Sequence, residues 1–157
     1  MLYTDSDWAG DKDTRKSVSG YGLFLLGCPV VWKSRQQDIV ALSSSEAEII
    51  ACTDAVKEIK FTVNVLESMG IKVKLPVTVR VDNVGAIYMA ENGAVSQRTK
   101  HVDLCTKFLT QYIEDGFIQI VFVKSEDNMS DFFTKNVSGD IYEEHKDAYI
   151  LKKDEIR

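Results

Sequence analysis

The chain has 157 residues, 45% of them hydrophobic, which is enough for one domain with a buried core. This composition excludes an intrinsically disordered chain, and the longest apolar run, Leu23 to Leu26, is far too short to cross a membrane. The formal net charge of −5 by itself argues against a nucleic-acid partner. Because Tyr3-Thr4-Asp5 follows the start directly, we expect no signal peptide, no membrane partner, and a location in the cytosol or nucleus.

The first part of the chain predicts three β-strands joined by short connections. Residues 1–5 form a short strand that leads into an acidic turn over residues 5–11. Residues 20–28 and 30–35 form two further strands, with a turn at Gly27-Cys28-Pro29 between them. Strands connected in this way predict an antiparallel meander.

A long helix follows the meander. Its start is indicated by the capping cluster Ser43-Ser44-Ser45, and Gly70 stops it after Met69. The elements predicted downstream are a strand over 77–82, helices over 84–91 and 102–114, a strand over 117–123 and a last helix over 129–135. A meander followed by alternating strands and helices is typical of an α/β fold with a mixed sheet and helices packed on it.

The charge is divided between a main body and a C-terminal segment. Residues 136–157 carry six acids and four bases, which leaves a net charge of −3 on residues 1–135. Because the segment 136–157 is polar and weakly patterned, we predict a loosely ordered tail behind a domain of residues 1–135. If four acids of that domain bind two divalent ions, its net charge becomes +1, and a nucleic-acid partner remains open.

Glu48 is the carboxylate that the helical pattern places most clearly outside its usual environment. At 100° per residue, Glu48 shares the core-facing stripe of the long helix with Ala55 and Ile59, whereas Glu46 lies about 160° away, on the predicted solvent side. A carboxylate that faces a core is costly unless something pairs with it, and no Lys or Arg stands three or four residues away. Either a metal ion or a long-range salt bridge would compensate the buried charge of the Glu48 carboxylate.

Three further acids stand at the ends of predicted elements. Asp5 ends the first strand, Asp82 ends the fourth, and Asp131 lies in the first turn of the last helix. Each has an ordinary alternative role: Asp5, like Asp7, as a turn former, Asp82 as a helix N-cap, and Asp131 as an acid favoured by the helix dipole. Open α/β sheets place their sites at the carboxyl ends of strands, and carboxylate oxygens suit magnesium or manganese.

Six short motifs occur together in one order between residues 3 and 135. They are residues 3–11, 15–21, 40–48, 81–83, 98–103 and 131–135. Each is weak alone, but in combination they resemble the ribonuclease H domain of copia-type LTR retrotransposon polyproteins. The resemblance implies a ribonuclease H-like α/β fold, with a five-stranded mixed sheet whose first three strands are antiparallel and with helices on both faces.

The resemblance also implies which acids bind metal. The metal-binding acids of the family, which hold two Mg2+ or alternatively Mn2+, match Asp5, Glu48, Asp82 and Asp131. For Glu48 over Glu46, the helical geometry leads independently to the same choice. For Asp5 over Asp7, the choice depends mainly on the family pattern.

The implied reaction is endonucleolytic hydrolysis of the RNA strand of an RNA–DNA hybrid during reverse transcription. The expected second partner is the reverse transcriptase region of the same polyprotein, in a retrotransposon particle in the cytoplasm or in the nucleus. The alternative is an inactive or repurposed retroelement fragment that binds nucleic acid or protein without cutting. Cellular ribonucleases H carry a histidine in the loop before the last metal-binding acid, but residues 124–130 contain none. For His101, further upstream, we expect a structural or substrate-contacting role.

Substrate contacts require hydrogen-bond donors and cations near the acids. Ser43, Ser44 and Ser45 begin a helix, where a phosphate binds readily, although simple capping is the alternative. Asn83 resembles a position that meets a base or sugar edge in the wider family. The basic candidates for contacts with the nucleic-acid backbone, for which solvated surface charge is the alternative, are Arg15, Lys16, Arg98 and Lys100.

Overall fold

The elements of the fold follow the predicted order along the chain. The structure is a computed structural model that describes residues 1–93 and 100–149, apart from the side chain of Glu144. The strands of this part are β1 (Leu2–Asp7), β2 (Val18–Leu25), β3 (Cys28–Gln36), β4 (Val77–Val81) and β5 (Ile118–Phe122). Its α-helices are α1 (Ser44–Ser68), α2 (Val84–Asn92), α3 (Lys100–Glu114) and α4 (Gly139–Tyr149). Two single 3-10 turns, Ser125–Asp127 and Asp131–Phe133, lie between β5 and α4.

The five strands form one mixed sheet in the order β3-β2-β1-β4-β5. The pairs β1–β2 and β2–β3 are antiparallel, and β1–β4 and β4–β5 are parallel. This confirms the predicted sheet with its antiparallel first three strands. Since Leu2 pairs with Val79 and Tyr3 with Arg80, continuation of the register sets Asp5 level with Asp82, near the carboxyl ends of two neighbouring parallel strands. The prediction that Asp5 ends the first strand is wrong, because β1 continues to Asp7 through its pairing with β2, whereas Asp82 directly follows β4.

Helices cover both faces of the sheet, as the resemblance implied. The main core lies between the sheet and α1, α2 and α3, and it includes Leu2, Val79 and Ile59, all 1% exposed or less. The second core is smaller and forms on the opposite face, where Tyr3 and Phe24 pack against Tyr149 of α4. A helix that crosses a membrane would have to be long and apolar, and none within residues 1–93 and 100–149 meets both conditions.

The described part of the C-terminal segment, residues 136–149, differs from the loosely ordered tail predicted for residues 136–157, and residues 150–157 lie outside the described residues. Residues 139–149 form α4, and Tyr142, His145 and Tyr149 present one face of this helix to the ring of Phe132, with centroid separations of 5.9, 5.9 and 6.0 Å. These aromatic contacts hold α4 against Phe132, and such tertiary contacts order a segment whose own pattern is weak. The prediction of a separate domain over 1–135 remains a prediction.

The last predicted helix, over residues 129–135, is also wrong in its extent. Only Asp131–Phe133 are helical, as one 3-10 turn. The side chain of Asn128 provides the reason, because its Oδ1 accepts hydrogen bonds from both the backbone N–H and the hydroxyl of Ser130. Such local side-chain bonds compete with the first turn of an α-helix.

Candidate active site

Three acids converge at the carboxyl ends of β1 and β4. One carboxylate oxygen from each of Asp5, Glu48 and Asp82 lies within 4.8 Å of the other two. Asp5 and Asp82 meet because β1 and β4 are parallel neighbours, and Glu48 reaches them because α1 packs on β1. The first turns of α1 thus place the Glu48 carboxylate beside those of Asp5 and Asp82.

Asp131 joins this cluster through two neighbours in its own turn. Lys135 Nζ lies 2.9 Å from Asp131 Oδ2 and 3.7 Å from Asp5 Oδ2. Thr134 donates its hydroxyl to Asp5 Oδ2. Asp131 is itself 4% exposed, so the four acids form one largely buried group, which we call the acid cluster.

The carboxylate of Glu48 is buried and only half satisfied. Its side chain is 3% exposed, and Oε1 accepts the backbone N–H and the hydroxyl of Ser6 at 2.8 Å each. Oε2 has no hydrogen-bond partner, and neither has Oδ1 of Asp131. Among the described residues, no Lys or Arg lies within 4 Å of Glu48, so the long-range salt bridge is not found there.

Glu46, in contrast, does not face solvent as its helical angle predicted. It is 7% exposed, and its Oε2 accepts the backbone N–H of Leu42 at 3.0 Å. Its own backbone N–H donates to the Ser43 hydroxyl, which caps α1 as predicted. The loop before α1 folds over this side chain and buries it, which a helical angle does not reveal.

The electrostatics of the acid cluster favour protons or a cation. Burial, followed by the charges of Asp5 and Asp82, raises the pKa of Glu48 well above its usual range. Burial also raises the pKa of Asp5 to about 6, with the charge of Asp131 adding to the effect. The pKa of Asp131 is raised as well, again mainly by burial. Clustered carboxylates in this environment resist ionising together unless positive charge is supplied.

The donor set fits a hard divalent cation. Carboxylate oxygens are the ligands that magnesium and manganese prefer, and the acid cluster offers no sulfur or imidazole. The two buried oxygens without partners, Glu48 Oε2 and Asp131 Oδ1, are the atoms that such an ion would satisfy. The site is therefore suited to Mg2+ or Mn2+ on the chemistry of its own residues.

Asp82 does not have the N-cap role that was its alternative, and Asp7 does not join the converging acids. Asp82 is not the N-cap of α2, because Asn83 takes that role and accepts the backbone N–H of Ala86 at 2.9 Å. Asp82 Oδ2 instead accepts the hydroxyl of Ser125 at 2.7 Å. Asp7 accepts the backbone N–H of Val18, its cross-strand neighbour at the end of β1, and it is outside the group of three converging acids.

The predicted substrate-contact residues fall into two groups. At the edge of the acid cluster, Ser45 donates to Asn83 Oδ1 at 3.0 Å, and Asn83 Nδ2 lies 3.5 Å from the Ser44 hydroxyl. These contacts join the N-termini of α1 and α2, and a Cβ on Gly85 would meet Ser45 Oγ at 2.5 Å. The basic candidates Arg15, Lys16 and Lys100 make no described ion pair with the four acids, and Arg98 lies outside the described residues.

His101 lies in a different cavity from the acid cluster. Its Nε2 is 3.6 Å from Cys105 Sγ, and both residues line a cavity of about 240 Å³ together with Arg35, Asp54 and other side chains. None of the four acids lines this cavity.

Sequence reasoning missed the residues that support the acids. Ser6, Thr134 and Lys135 stood within the matched motifs, but no local signal indicated that they contact Glu48, Asp5 and Asp131. The contacts of Ser125 and Asn128 were equally hidden, because their partners, Asp82 after β4 and Thr4 in β1, are 43 and 124 residues away in the chain. The motif resemblance included Ser6, Thr134 and Lys135 but assigned no role to them.

Comparisons with known proteins agree with this architecture. No family model matches the chain. Over 136 residues it is 35% identical to the retrovirus-related Pol polyprotein from transposon RE1 of Arabidopsis thaliana, covering 87% of this chain. Over 141 residues it is 36% identical to that from transposon TNT 1-94 of Nicotiana tabacum, covering 90%. The chain spans only 9% and 10% of the length of these relatives.

The solved structures that resemble this chain define its class. LC11-RNase H1 in complex with an RNA/DNA hybrid superposes with a TM-score of 0.63 at 14% identity, over 85% of this chain and 91% of that one. The fold is therefore that of ribonuclease H. With the sequence relatives, this means that the chain belongs to the retrovirus-related Pol polyproteins of transposons, of which it represents the ribonuclease H domain.

Proposed function

We propose that this domain is an endonuclease that hydrolyses the RNA strand of RNA–DNA hybrids during the reverse transcription of a copia-type retrotransposon. The observation that carries the proposal is the convergence of Asp5, Glu48 and Asp82 around an unpartnered Glu48 oxygen in a ribonuclease H fold. The hybrid in the complex of LC11-RNase H1 supports the choice of substrate. The reverse transcriptase region of the same polyprotein is the proposed partner, in a cytoplasmic particle or in the nucleus.

The proposed cofactors are two Mg2+ ions, replaceable by Mn2+, held by Asp5, Glu48, Asp82 and Asp131. When bound, these ions supply the positive charge that polarises a phosphate and activates water. The chain holds the carboxylates in place: Ser6 orients Glu48, Thr134 orients Asp5, and Ser125 orients Asp82. Among the described residues, no histidine contacts the four acids, so we assign no proton transfer to an imidazole.

The substrate is held by donors and cations around the acid cluster. Ser43, Ser44 and Ser45 begin α1 and Asn83 begins α2, and the two helix N-termini together favour a phosphate or a sugar edge. The cations proposed for the nucleic-acid backbone are Arg15, Lys16, Arg98 and Lys100. Recognition of a hybrid depends on shape and the 2′-OH, so we expect little sequence specificity.

A cleavage assay tests the substrate and the cofactor together. Labelled RNA is offered in an RNA–DNA hybrid and in duplex RNA, beside duplex DNA, with Mg2+ or with EDTA. We expect cleavage of the RNA strand of the hybrid alone, and only with the divalent ion. Hybrid binding without any cleavage would overturn the proposal in favour of the inactive binding module.

Substitution of any one of the four acids should abolish most of the hydrolysis without unfolding the protein. Asp5→Asn, Glu48→Gln, Asp82→Asn and Asp131→Asn should each lower hydrolysis at least about a hundredfold, because residues that merely support metal ligands already contribute 10- to 100-fold. Without metal, the melting temperature of each variant should hold or rise, since repulsion among carboxylates is relieved. Mg2+ should raise the wild-type melting temperature and have less effect on the variants.

Glu46→Gln is the matched control, two residues away on the same helix. A glutamine there still accepts the Leu42 N–H and leaves the acid cluster unchanged. Its activity should stay near the wild-type value. Loss of activity in Glu46→Gln with retention in Glu48→Gln would contradict the assignment.

A further inference from the structure

Lys135 is the cation of the acid cluster. Its Nζ lies between Asp131 Oδ2 at 2.9 Å and Asp5 Oδ2 at 3.7 Å. The Lys135 backbone N–H donates to the carbonyl of Asp131 at 3.1 Å, so the side chain returns over its own turn towards β1. No other Lys or Arg in the described part of the chain lies within 4 Å of the four acids.

The exposure of this ion pair is uneven. The side chains of Asp5 and Asp131 are 2% and 6% exposed, whereas that of Lys135 is 43% exposed. The ammonium can therefore turn out to solvent, whereas the two carboxylates cannot.

The same oxygens are needed by a divalent ion. Asp5 Oδ2 already accepts Thr134 and faces Lys135, and Asp131 Oδ2 is held by Lys135 as well. An ion bound by both carboxylates would stand a few ångströms from the ammonium, and like charges at this distance repel strongly in a buried site. An open groove of about 500 Å³, lined by Asp7, Ser34 and Lys135 itself among others, lies beside the side chain and has room for it after release.

We propose that Lys135 is an exchangeable counter-ion, which holds Asp5 and Asp131 in place when no divalent ion is bound and competes with the ion for these two carboxylates. This rests on the proposed function, because it takes the acid cluster to be the metal site. Lys135 is thus a positioning residue: it lowers the repulsion within the metal-free cluster and weakens metal binding in return.

The test is the affinity of the protein for Mg2+ and Mn2+, measured by isothermal titration calorimetry without nucleic acid at about pH 8. Lys135→Met removes the competing charge and should tighten metal binding on the order of tenfold. It should also lower the melting temperature in EDTA. Lys135→Arg keeps the charge, and its affinity should stay close to that of the wild type.

Lys107→Met is the matched control. Lys107 Nζ also lies 2.9 Å from an aspartate four residues earlier, Asp103, but this pair is exposed and far from the acid cluster in the chain. Its loss should leave metal affinity unchanged. If Lys135→Met does not fold, Lys135→Gln gives the same test, because it keeps a hydrogen-bond donor and lacks the charge.

The outcomes separate the two proposals. Unchanged or weaker metal affinity in the folded, uncharged Lys135 variants overturns the counter-ion role, and if the wild type still cleaves the hybrid with Mg2+, the proposed function stands. Equal tightening in Lys107→Met would reduce the effect to general surface charge and also overturn it. Absence of metal binding in every variant, together with absence of cleavage, overturns both proposals.

Discussion

Of the six buried side-chain oxygens without a hydrogen-bond partner in the described part of the chain, the two that belong to carboxylates both lie in the acid cluster. A buried polar atom without a hydrogen bond costs about 1–3 kcal/mol, so native proteins rarely retain one without a reason. Glu48 Oε2 and Asp131 Oδ1 are both of this kind, and both belong to the same cluster. Around them, Ser6, Thr134 and Lys135 satisfy the other oxygens. The arrangement is that of a site prepared for a cation.

The raised pKa values predict how the stability of the metal-free protein depends on pH. The pKa of Asp5 is raised to about 6 and that of Glu48 well above its usual range, in both cases mainly by burial. From about pH 4 upward the unfolded chain loses protons that the folded chain keeps, so these groups lower the free energy of unfolding as the pH rises through their folded pKa values. Below about pH 4 both states are protonated, and the effect vanishes.

Urea denaturation in EDTA at about pH 4, 5, 6 and 7 measures this effect as a difference between variants. The free energy of unfolding of Glu48→Gln relative to wild type should increase steadily over that range, because the glutamine does not ionise. Glu46→Gln should show no such trend. A Glu48→Gln advantage that is constant or shrinks with rising pH contradicts the raised pKa of the buried Glu48.

The loop between β5 and α4 is the element that carries Asp131, and one buried side chain fastens it to the sheet. Asn128 is fully buried, and its Nδ2 donates to the Thr4 carbonyl of β1 at 3.0 Å. Its Oδ1 accepts two bonds from Ser130, which set the turn that begins at Asp131. Asn128 thus ties the turn that carries Asp131 to the strand that carries Asp5.

Asn128→Ala should therefore reduce both stability and activity. The loss leaves the Thr4 carbonyl without its partner and should lower the free energy of unfolding by about 1–3 kcal/mol in urea denaturation. Cleavage should fall more than stability explains, because Asp131 is no longer held against Asp5. Asn64→Ala, an exposed position on α1, serves as the control. Full activity in Asn128→Ala would show that the turn holds Asp131 without this anchor.

At the scale of the whole molecule, α4 covers the second face of the sheet and contacts the loop that carries Asp131. The Tyr149 hydroxyl donates to the Met129 carbonyl at 2.9 Å, and its ring packs on Phe24 and Phe133. The approach is so close that a Cβ on Gly22 would stand 2.6 Å from the Tyr149 oxygen. The C-terminal helix therefore contacts both the sheet and the loop that carries Asp131.

Tyr149→Ala should lower the free energy of unfolding by about 3 kcal/mol, since it empties an aromatic position between the helix and the sheet. Tyr149→Phe should cost only about 1 kcal/mol, for the bond to Met129. A chain that ends after Lys135 should lose more than Tyr149→Ala, and urea denaturation of the three proteins gives the comparison. Tyr88→Ala, at an exposed position, is the control. Wild-type stability in the shortened chain would instead support the division at residue 135.

The sequence by itself determined the features that depend on local periodicity and on strand ends. A 3.6-residue period was enough to place Glu48 on the core-facing side of α1, alternation and turn residues located the five strands, and the end of β4 located Asp82. The choice of Asp5 over Asp7 depended mainly on the motif resemblance. Tertiary structure alone decided what those acids meet. The burial of Glu46 under the preceding loop, the link between Thr134 and Asp5 across 129 residues, and the docking of α4 on Phe24 all join parts of the chain that no local pattern relates. Periodicity reports which way a side chain points, whereas the partner it reaches depends on how distant elements pack.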